Sequence, residues 1–360
     1  MHAEIVILGA GPVGCTLALL FQARRRNVRL IERRKRGEAA PAARPIALSY
    51  ASRIILERAG AWHPLSVTPI DAIHVSQAGG FGQTRMSAAD AGVPVLGYVI
   101  DSGSLSASLA AQVEAAGIEI DYAGALPGAA DSDAMLVVHA EGSGGTVNEK
   151  RYEQTAIVAL VEAEPASART AYERFTAEGP LALLPVGGAY GVVWAARAER
   201  AAALVAMPEQ EFLEALAASF GPRAGRFLAA TGRTAIPLAL RVRETRTRER
   251  HVYVGNSAQT LHPVAGQGLN LGLRDAWELA RVIGQAPDPG DPALLDRYAS
   301  RRRLDAFATV RVTDLLAGLF LGTHPLASAA RGAAMCAIDA CAPVRRFFAR
   351  RMIYGPSAIP

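Results

Sequence analysis

Three glycines near the start of the chain, Gly9, Gly11 and Gly14 in "LGAGPVGC", fall at the spacing G-x-G-x-x-G. Each has a task in such a run: the first permits a tight turn, the second lets a pyrophosphate approach the backbone, and the third lets a helix pack close to a strand. Free N–H groups at the helix start, with the positive end of its dipole, hold phosphate. Glu32 stands about twenty residues beyond, where a carboxylate accepts both hydroxyls of an adenosine ribose and disfavours a 2′-phosphate. These residues predict a dinucleotide site, against the alternative of a purely structural glycine turn. The motif alone does not separate FAD from NAD.

A second glycine-rich stretch, "GNSAQTLHPVAGQGLNLGLRD", occupies residues 255–275. The run "HVYV" reads as a strand leading into Gly255 and Asn256, and "AGQGLN" opens a helix at about Leu269, so another helix N-terminus is presented. FAD has a use for it. Its ribityl chain needs hydroxyl partners, and its isoalloxazine gathers negative charge on reduction, which a helix N-terminus favours. An NAD-dependent dehydrogenase has no comparable need. The bland alternative is a turn at Gly266 and Gly268 before a helix, and His262 beside Pro263, taken alone, reads as a satisfied polar residue.

The elements that must position these loops are legible from periodicity. "EIVIL", the helix-patterned "VGCTLALLFQARRR" and "VRLIE" make a βαβ unit at the start of the chain. Residues 103–117 predict a helix and "IEI" and "MLVVHAEG" predict strands, with turn-forming residues between Asp121 and Asp133. From Gln154 the runs "QTAIVALVEA", "TAYERFTAEGPLALLPV" and "AYGVVWAA" alternate with Gly and Pro turns, as in an antiparallel sheet. Residues 208–221 open on Pro, carry early acids and close on Gly, which predicts a helix. After Pro292 the chain reads as helical. The expected architecture is α/β: a Rossmann-like domain over 1–150 plus 251–290, an antiparallel-sheet substrate domain over 151–250, and a helical region over 291–360.

Composition narrows the class. The 360 residues are 51% hydrophobic and 20% charged, which is globular and far from disorder. A net charge of +5 is too balanced to imply nucleic acid, and the basic run around "NVRLIE" reads as the solvated flank of a core strand. Three cysteines without CxxC spacing form neither a closed disulfide set nor a metal site, and fit a reducing, cytoplasmic compartment. No apolar run is long enough to span a bilayer.

The second glycine stretch resembles the late FAD motif of the class A flavoprotein aromatic hydroxylases, and is especially similar to the ubiquinone-biosynthesis branch that hydroxylates polyprenylated phenols. "ARPIALSYASRIILERAGAW" (43–62), "YEQTAIVALV" (152–161), "ERFTAEGPLALLPV" (173–186) and "VTDLLAGLF" (312–320) follow the same family order over nearly the whole chain. Asn256 and Gln259, in place of the commoner Asp and His, resemble the 2-polyprenyl-6-methoxyphenol hydroxylase subgroup. The resemblance implies the p-hydroxybenzoate-hydroxylase type of FAD fold, with NAD(P)H as reductant and O₂ as co-substrate. The oxygen would pass from a flavin C4a-hydroperoxide to a lipidic phenol ring, without an acid/base pair from the protein. Carried over by position, Gly9, Gly11, Gly14 and Glu32 would hold the ADP half and Arg44 would lie near the phosphate and flavin side. Asn256 would face the ribityl chain, Gly266, Gln267, Gly268, Leu269 and Asn270 would sit against the flavin ring, and His262 and Pro263 would shape its pocket.

Two features depart from the family pattern. Ala140, Glu141 and Gly142 stand where relatives carry A-D-G, and the segments from Ile120 to Val137 and around "GSGGTVNEKRYEQ" are abbreviated. They support an alternative in which the chain is a weakened relative serving a quinone-biosynthesis assembly. The tail "APVRRFFARRMIYG" mixes Arg with Phe, Met and Ile as an interfacial helix does, so peripheral contact with the inner face of a membrane is weighed beside an ordinary packed helix.

Overall fold

The computed structural model describes residues 4–38, 44–63, 65–123, 134–142, 148–261, 266–319 and 325–355. Strand β1 (Ile5–Leu8) is wholly buried and ends at the Gly9 turn, after which α1 (Pro12–Gln22) starts on a proline whose φ is already helical. Strand β2 (Val28–Glu32) returns parallel to β1, with Ile5 opposite Val28. Next come β3 (Pro45–Ser49) and α2 (Tyr50–Arg58), whose N-cap Ser49 accepts the Ser52 amide. The chain continues through β4 (Thr68–Ile70), β5 (Ala72–Gln77), β6 (Gln83–Ser87), the single turn α3 (Ala88–Ala91), β7 (Gly97–Asp101), α4 (Ser102–Ala115), β8 (Glu119–Tyr122) and β9 (Leu136–His139).

The long strand β10 (Asn148–Glu164) opens an antiparallel run of β11 (Thr170–Phe175), β12 (Pro180–Val186) and β13 (Ala189–Arg197). Helices α5 (Ala198–Ala206) and α6 (Glu209–Phe220) and a second long strand, β14 (Arg226–Val242), follow. The chain then gives β15 (Thr247–Arg248), β16 (His251–Tyr253), β17 (Gln259–Thr260), α7 (Gln267–Ile283), α8 (Pro292–Leu319), α9 (Pro325–Ala340) and α10 (Ala342–Tyr354). Among the described residues, no helix is long and apolar enough to cross a membrane.

Three sheets result. The first has the order β15-β16-β9-β1-β2-β8, with β1, β2, β8, β9 and β16 all parallel. Its inner face, Ile5, Ile7, Leu30, Val138 and Val252, packs on α1, α4 and α7 in one core with Leu17, Leu109 and Leu279. The second has the order β17-β14-β10-β13-β12-β11-β5-β6 and is antiparallel except where β11 meets β5. Residues 72–77, 83–87, 148–150 and 259–260 thus join a sheet expected from 151–250 alone. Their mixed polar and apolar composition carries no clean period. The third, β3-β7-β4, lies between the other two. The mixed α/β architecture agrees with the expected class.

Candidate functional site

The three glycines of the first loop differ in what surrounds them. Gly9 has φ +100°, and a Cβ there would stand 2.6 Å from the Glu141 Cα, so the 140–142 turn lies directly on the loop. A Cβ on Gly14 would be 2.0 Å from the Gly9 carbonyl oxygen, whereas one on Gly11 would meet nothing within 4 Å. Gly11 is also the N-cap of α1 and no side chain caps that helix start. The close packing falls on Gly9 and Gly14, and the open side on Gly11.

Glu32 closes the loop from below. Its Oε2 accepts the Ala10 N–H at 2.9 Å, and its Oε1 accepts the Arg34 backbone N–H at 3.0 Å and the Arg34 Nε–H at 3.1 Å. Burial works against the charge, but these donors and the Arg34 guanidinium outweigh it and hold the carboxyl below the ordinary glutamate range.

The second loop lies against the first. Val13, in the first turn of α1, is the neighbour that a Cβ on Gly255 or on Gly272 would meet, at 3.2 and 2.8 Å. The Gly255 N–H donates to Asp275 Oδ2 at 3.1 Å, which fixes the end of β16 to α7. Ser257 Oγ accepts the Gly142 N–H at 3.0 Å, so the 140–142 turn bridges the two loops. Asn256 is exposed beside that turn. Helix α7 starts two residues earlier than expected, because Gly266 adopts the left-handed conformation (φ +59°) and serves as its N-cap without a side-chain cap.

The remaining sequence-read residues separate into groups. Gln267, Gly268 and Leu269 form the half-buried first turn of α7. Asn270 is 2% exposed and its side chain is engaged by protein: Oδ1 accepts the Ser49 N–H and the Ser52 hydroxyl, and Nδ2 donates to the Ala47 and Gly266 carbonyls. It is a strut joining β3 to the start of α7. Arg44 is exposed just before β3, its N–H donating to Ser102 Oγ and its carbonyl accepting the Ser102 N–H, and Pro45 after it sits over Gly191 of β13. His262 and Pro263 lie outside the described residues.

Sequence reasoning missed the buried charges behind the second loop. Asp275 accepts from Arg302 at 2.7 Å and Gln259 at 2.8 Å, and Asp305 pairs with Arg302 and Arg274. The signal was available in "GLRDAWE" and "RRRLDAF", where charges interrupt buried helical faces. Val13 and Ser257 were missed because their part is proximity between distant segments, and the packing of Glu141 on Gly9 was out of reach for the same reason.

Two uncapped helix starts, joined where Val13 of α1 packs on Gly255 and on Gly272 in the second turn of α7, each with an open glycine face, fit one long molecule carrying phosphate in its middle and a charge-gathering ring at one end. That is the shape of FAD. The FAD binding domain family profile matches residues 129–313. Ubiquinone hydroxylase UbiL of Rhodospirillum rubrum is 32% identical, covering 97% of this chain and 89% of its own. The 3-demethoxyubiquinol 3-hydroxylase of Escherichia coli is 27% identical over 89% of this chain and 91% of its own. The crystal structure of p-nitrophenol 4-monooxygenase PnpA from Pseudomonas putida superposes with a TM-score of 0.79 at 16% identity, covering 98% of both chains, and shares the fold. The chain belongs to the FAD-dependent aromatic hydroxylases of ubiquinone biosynthesis, whose members typically use NAD(P)H and O₂.

Proposed function

We propose that the protein hydroxylates a polyprenylated phenol of the 2-polyprenyl-6-methoxyphenol type, with FAD held along the two glycine helix starts. The observation that carries this reading is the contact of Val13 with both Gly255 and Gly272, which makes the two loops one continuous cradle. Bound FAD, reduced by NAD(P)H, would supply the activation of O₂, one atom of which reaches the ring while the other leaves as water. The chain's own part is positioning. Gly11 and the first turn of α1 receive the pyrophosphate, Glu32 takes the ribose hydroxyls in exchange for part of its Arg34 contact, and Asn256 meets the ribityl chain as both donor and acceptor. The first turn of α7, Gly266 to Leu269, puts the positive end of a helix dipole where the ring gathers charge. Arg44 lies on the phosphate and flavin side. The parallel-sheet unit serves as the cofactor domain and the eight-stranded sheet as the substrate wall.

The test is a flavin titration followed by product analysis. Purified protein is expected to be yellow or to take up FAD, and to convert a polyprenylated phenol, with NAD(P)H, to a product one oxygen atom heavier. Glu32→Ala should weaken FAD binding by roughly 10- to 100-fold, the worth of hydrogen bonds to a charged group. A colourless protein that takes up no FAD would overturn the reading.

A lipidic substrate needs a route from the bilayer. Helix α10 buries Ala349 and Ile353 while leaving Val344, Phe347 and Phe348 exposed among Arg346, Arg350 and Arg351. Apolar and basic groups together fit an anionic membrane surface. A Phe347→Ser/Phe348→Ser double variant is expected to pellet less with anionic vesicles and to keep its flavin; unchanged pelleting would remove the membrane contact.

A further inference from the structure

The eight-stranded sheet turns one face toward β3 and the helices α9 and α10. Strand register lays out a row across that face: Thr84 pairs with Val75, Val75 with Glu173, Glu173 with Ala182, and Ala182 with Val193. Directly paired residues point to the same side. The rows on either side are more deeply buried, although Ile73 and Leu184 in one of them also keep part of their surface. Phe175, Gln77 and Pro180 are buried on one side, where Phe175 packs on Met335 of α9. On the other side Ala171 and Met86 are buried with Ala349 and Ile353 of α10, and Pro45 sits over Gly191. Yet Val75, Glu173, Ala182 and Val193, four neighbours in the middle row, all keep part of their surface. The half-open stretch crosses four neighbouring strands and so runs about 14 Å, and Thr84 at its β6 end is buried. The stretch runs past β3, which the Asn270 side chain ties to the start of α7.

One ionisable side chain lies in this apolar row. Glu173 Oε1 is sealed from solvent and has no hydrogen-bond partner among the described residues, and Thr84 Oγ1 in the same row has none either. Charged groups on the covering elements are directed elsewhere: Arg331 of α9 to Gln77, Asp339 of α9 to the Arg85 amide, and Arg345 of α10 to Asp90. Tyr50 of α2 and Tyr354 of α10 pack in the adjoining cluster. Burial alone pushes the Glu173 carboxyl up to about 8. A purely apolar wall has no use for such a group, since an unpaired carboxyl costs more to bury than any residue of its shape.

We propose that Glu173 is the residue on which the substrate's phenolic hydroxyl docks, and that its carboxylate accepts the hydroxyl proton before oxygen transfer. The inference rests on the phenol-hydroxylase reading above. In the step the phenol O–H bond breaks and an O–H bond forms on the carboxylate. The ring oxygen keeps the electron pair, and nothing is oxidised or reduced. The electron-rich phenolate is the better acceptor of the incoming oxygen, and a carboxyl raised by burial is a stronger base than an ordinary one.

The experiment uses the full-length, flavin-loaded protein with a short-chain prenylphenol, read by the ultraviolet shift that accompanies phenol ionisation and by turnover across pH. Wild type is expected to bind the phenol and to gain both ionised phenol and turnover as pH rises through about 8. Glu173→Gln, which keeps the shape, should hold its FAD and melting temperature, bind the phenol roughly 10- to 100-fold more weakly, and lose the pH step. Glu173→Asp should restore part of the step. Wild-type binding with an unchanged affinity and pH profile in Glu173→Gln overturns this inference alone. A flavin-loaded wild type that binds no phenol overturns it together with the reading of function.

Discussion

Gly11→Ala is expected to leave the melting temperature of the FAD-free protein unchanged and to weaken FAD binding, while Gly14→Ala should lower both. The two glycines stand three residues apart and would pass for equivalent members of one motif. Their surroundings are opposite. At Gly11 the backbone is extended (φ −76°, ψ 177°), a conformation open to any residue, and a new methyl meets no protein atom within 4 Å. Any penalty there must come from a ligand. At Gly14 the methyl would stand 2.0 Å from the Gly9 carbonyl oxygen, a backbone atom that cannot swing aside, so α1 must move off the loop. Overpacking of that kind costs about 1–3 kcal/mol, and the shift also carries Val13 away from Gly255 and Gly272. Thermal melting and FAD titration of both variants separate the effects. Equal losses of stability would show that Gly11 faces protein, and unaltered FAD affinity in Gly11→Ala would remove the pyrophosphate from that side.

Much of the site could be read from local sequence because its parts are local. Strand, glycine turn and helix at residues 5–22 follow from the apolar run, the turn glycines and Pro12, and Glu32 follows from spacing along one βαβ unit. The second loop was legible for the same reason, although Gly266 in a left-handed cap moved the helix start forward to Gln267. What periodicity could not supply was partnership over long separations. β5 and β6 join β11 through a parallel pairing nearly a hundred residues away, and no local pattern in "AIHVSQ" or "QTRMS" announces it. The family resemblance sets Asn270 against the flavin ring. Its four bonds to Ser49, Ser52, Ala47 and Gly266 also tie β3 to the start of α7, which no local pattern foretells. Glu173 was hidden inside a strand pattern, where a charge at an alternating position normally means solvent.

The second large effect is expected from Asp275→Ala, through stability. Asp275 is fully buried, and both its oxygens are in use. Oδ1 takes Arg302 Nε at 2.7 Å and Arg246 Nη1 at 3.4 Å, and Oδ2 takes the Gly255 N–H at 3.1 Å and Gln259 Nε2 at 2.8 Å. Arg302 continues to Asp305, which also holds Arg274. One carboxylate therefore clamps α7, α8 and the second glycine loop. Its removal leaves Arg302, itself buried, one counter-charge short and the Gly255 amide without an acceptor, for which about 3–5 kcal/mol is the usual cost. Against a total stability of roughly 5–15 kcal/mol that is a large share, and the melting temperature should fall by on the order of 10 °C. Asp275→Asn keeps the shape and one acceptor and should fall between alanine and wild type. Because the clamp holds Gly255 against Val13, saturating FAD should recover part of the loss by mass action. The same network sets a direction for pH. Burial opposes the charge on Asp305, but Arg274 and Arg302 outweigh it and hold its carboxyl below the ordinary aspartate range. Its contribution is thus complete above the unfolded value and is lost as pH falls through the lower folded one. Acid titration of stability should show that loss in wild type, and less of it in Asp305→Asn, which is already short of the charge; equal acid sensitivity in the two would place the acid-labile contact elsewhere.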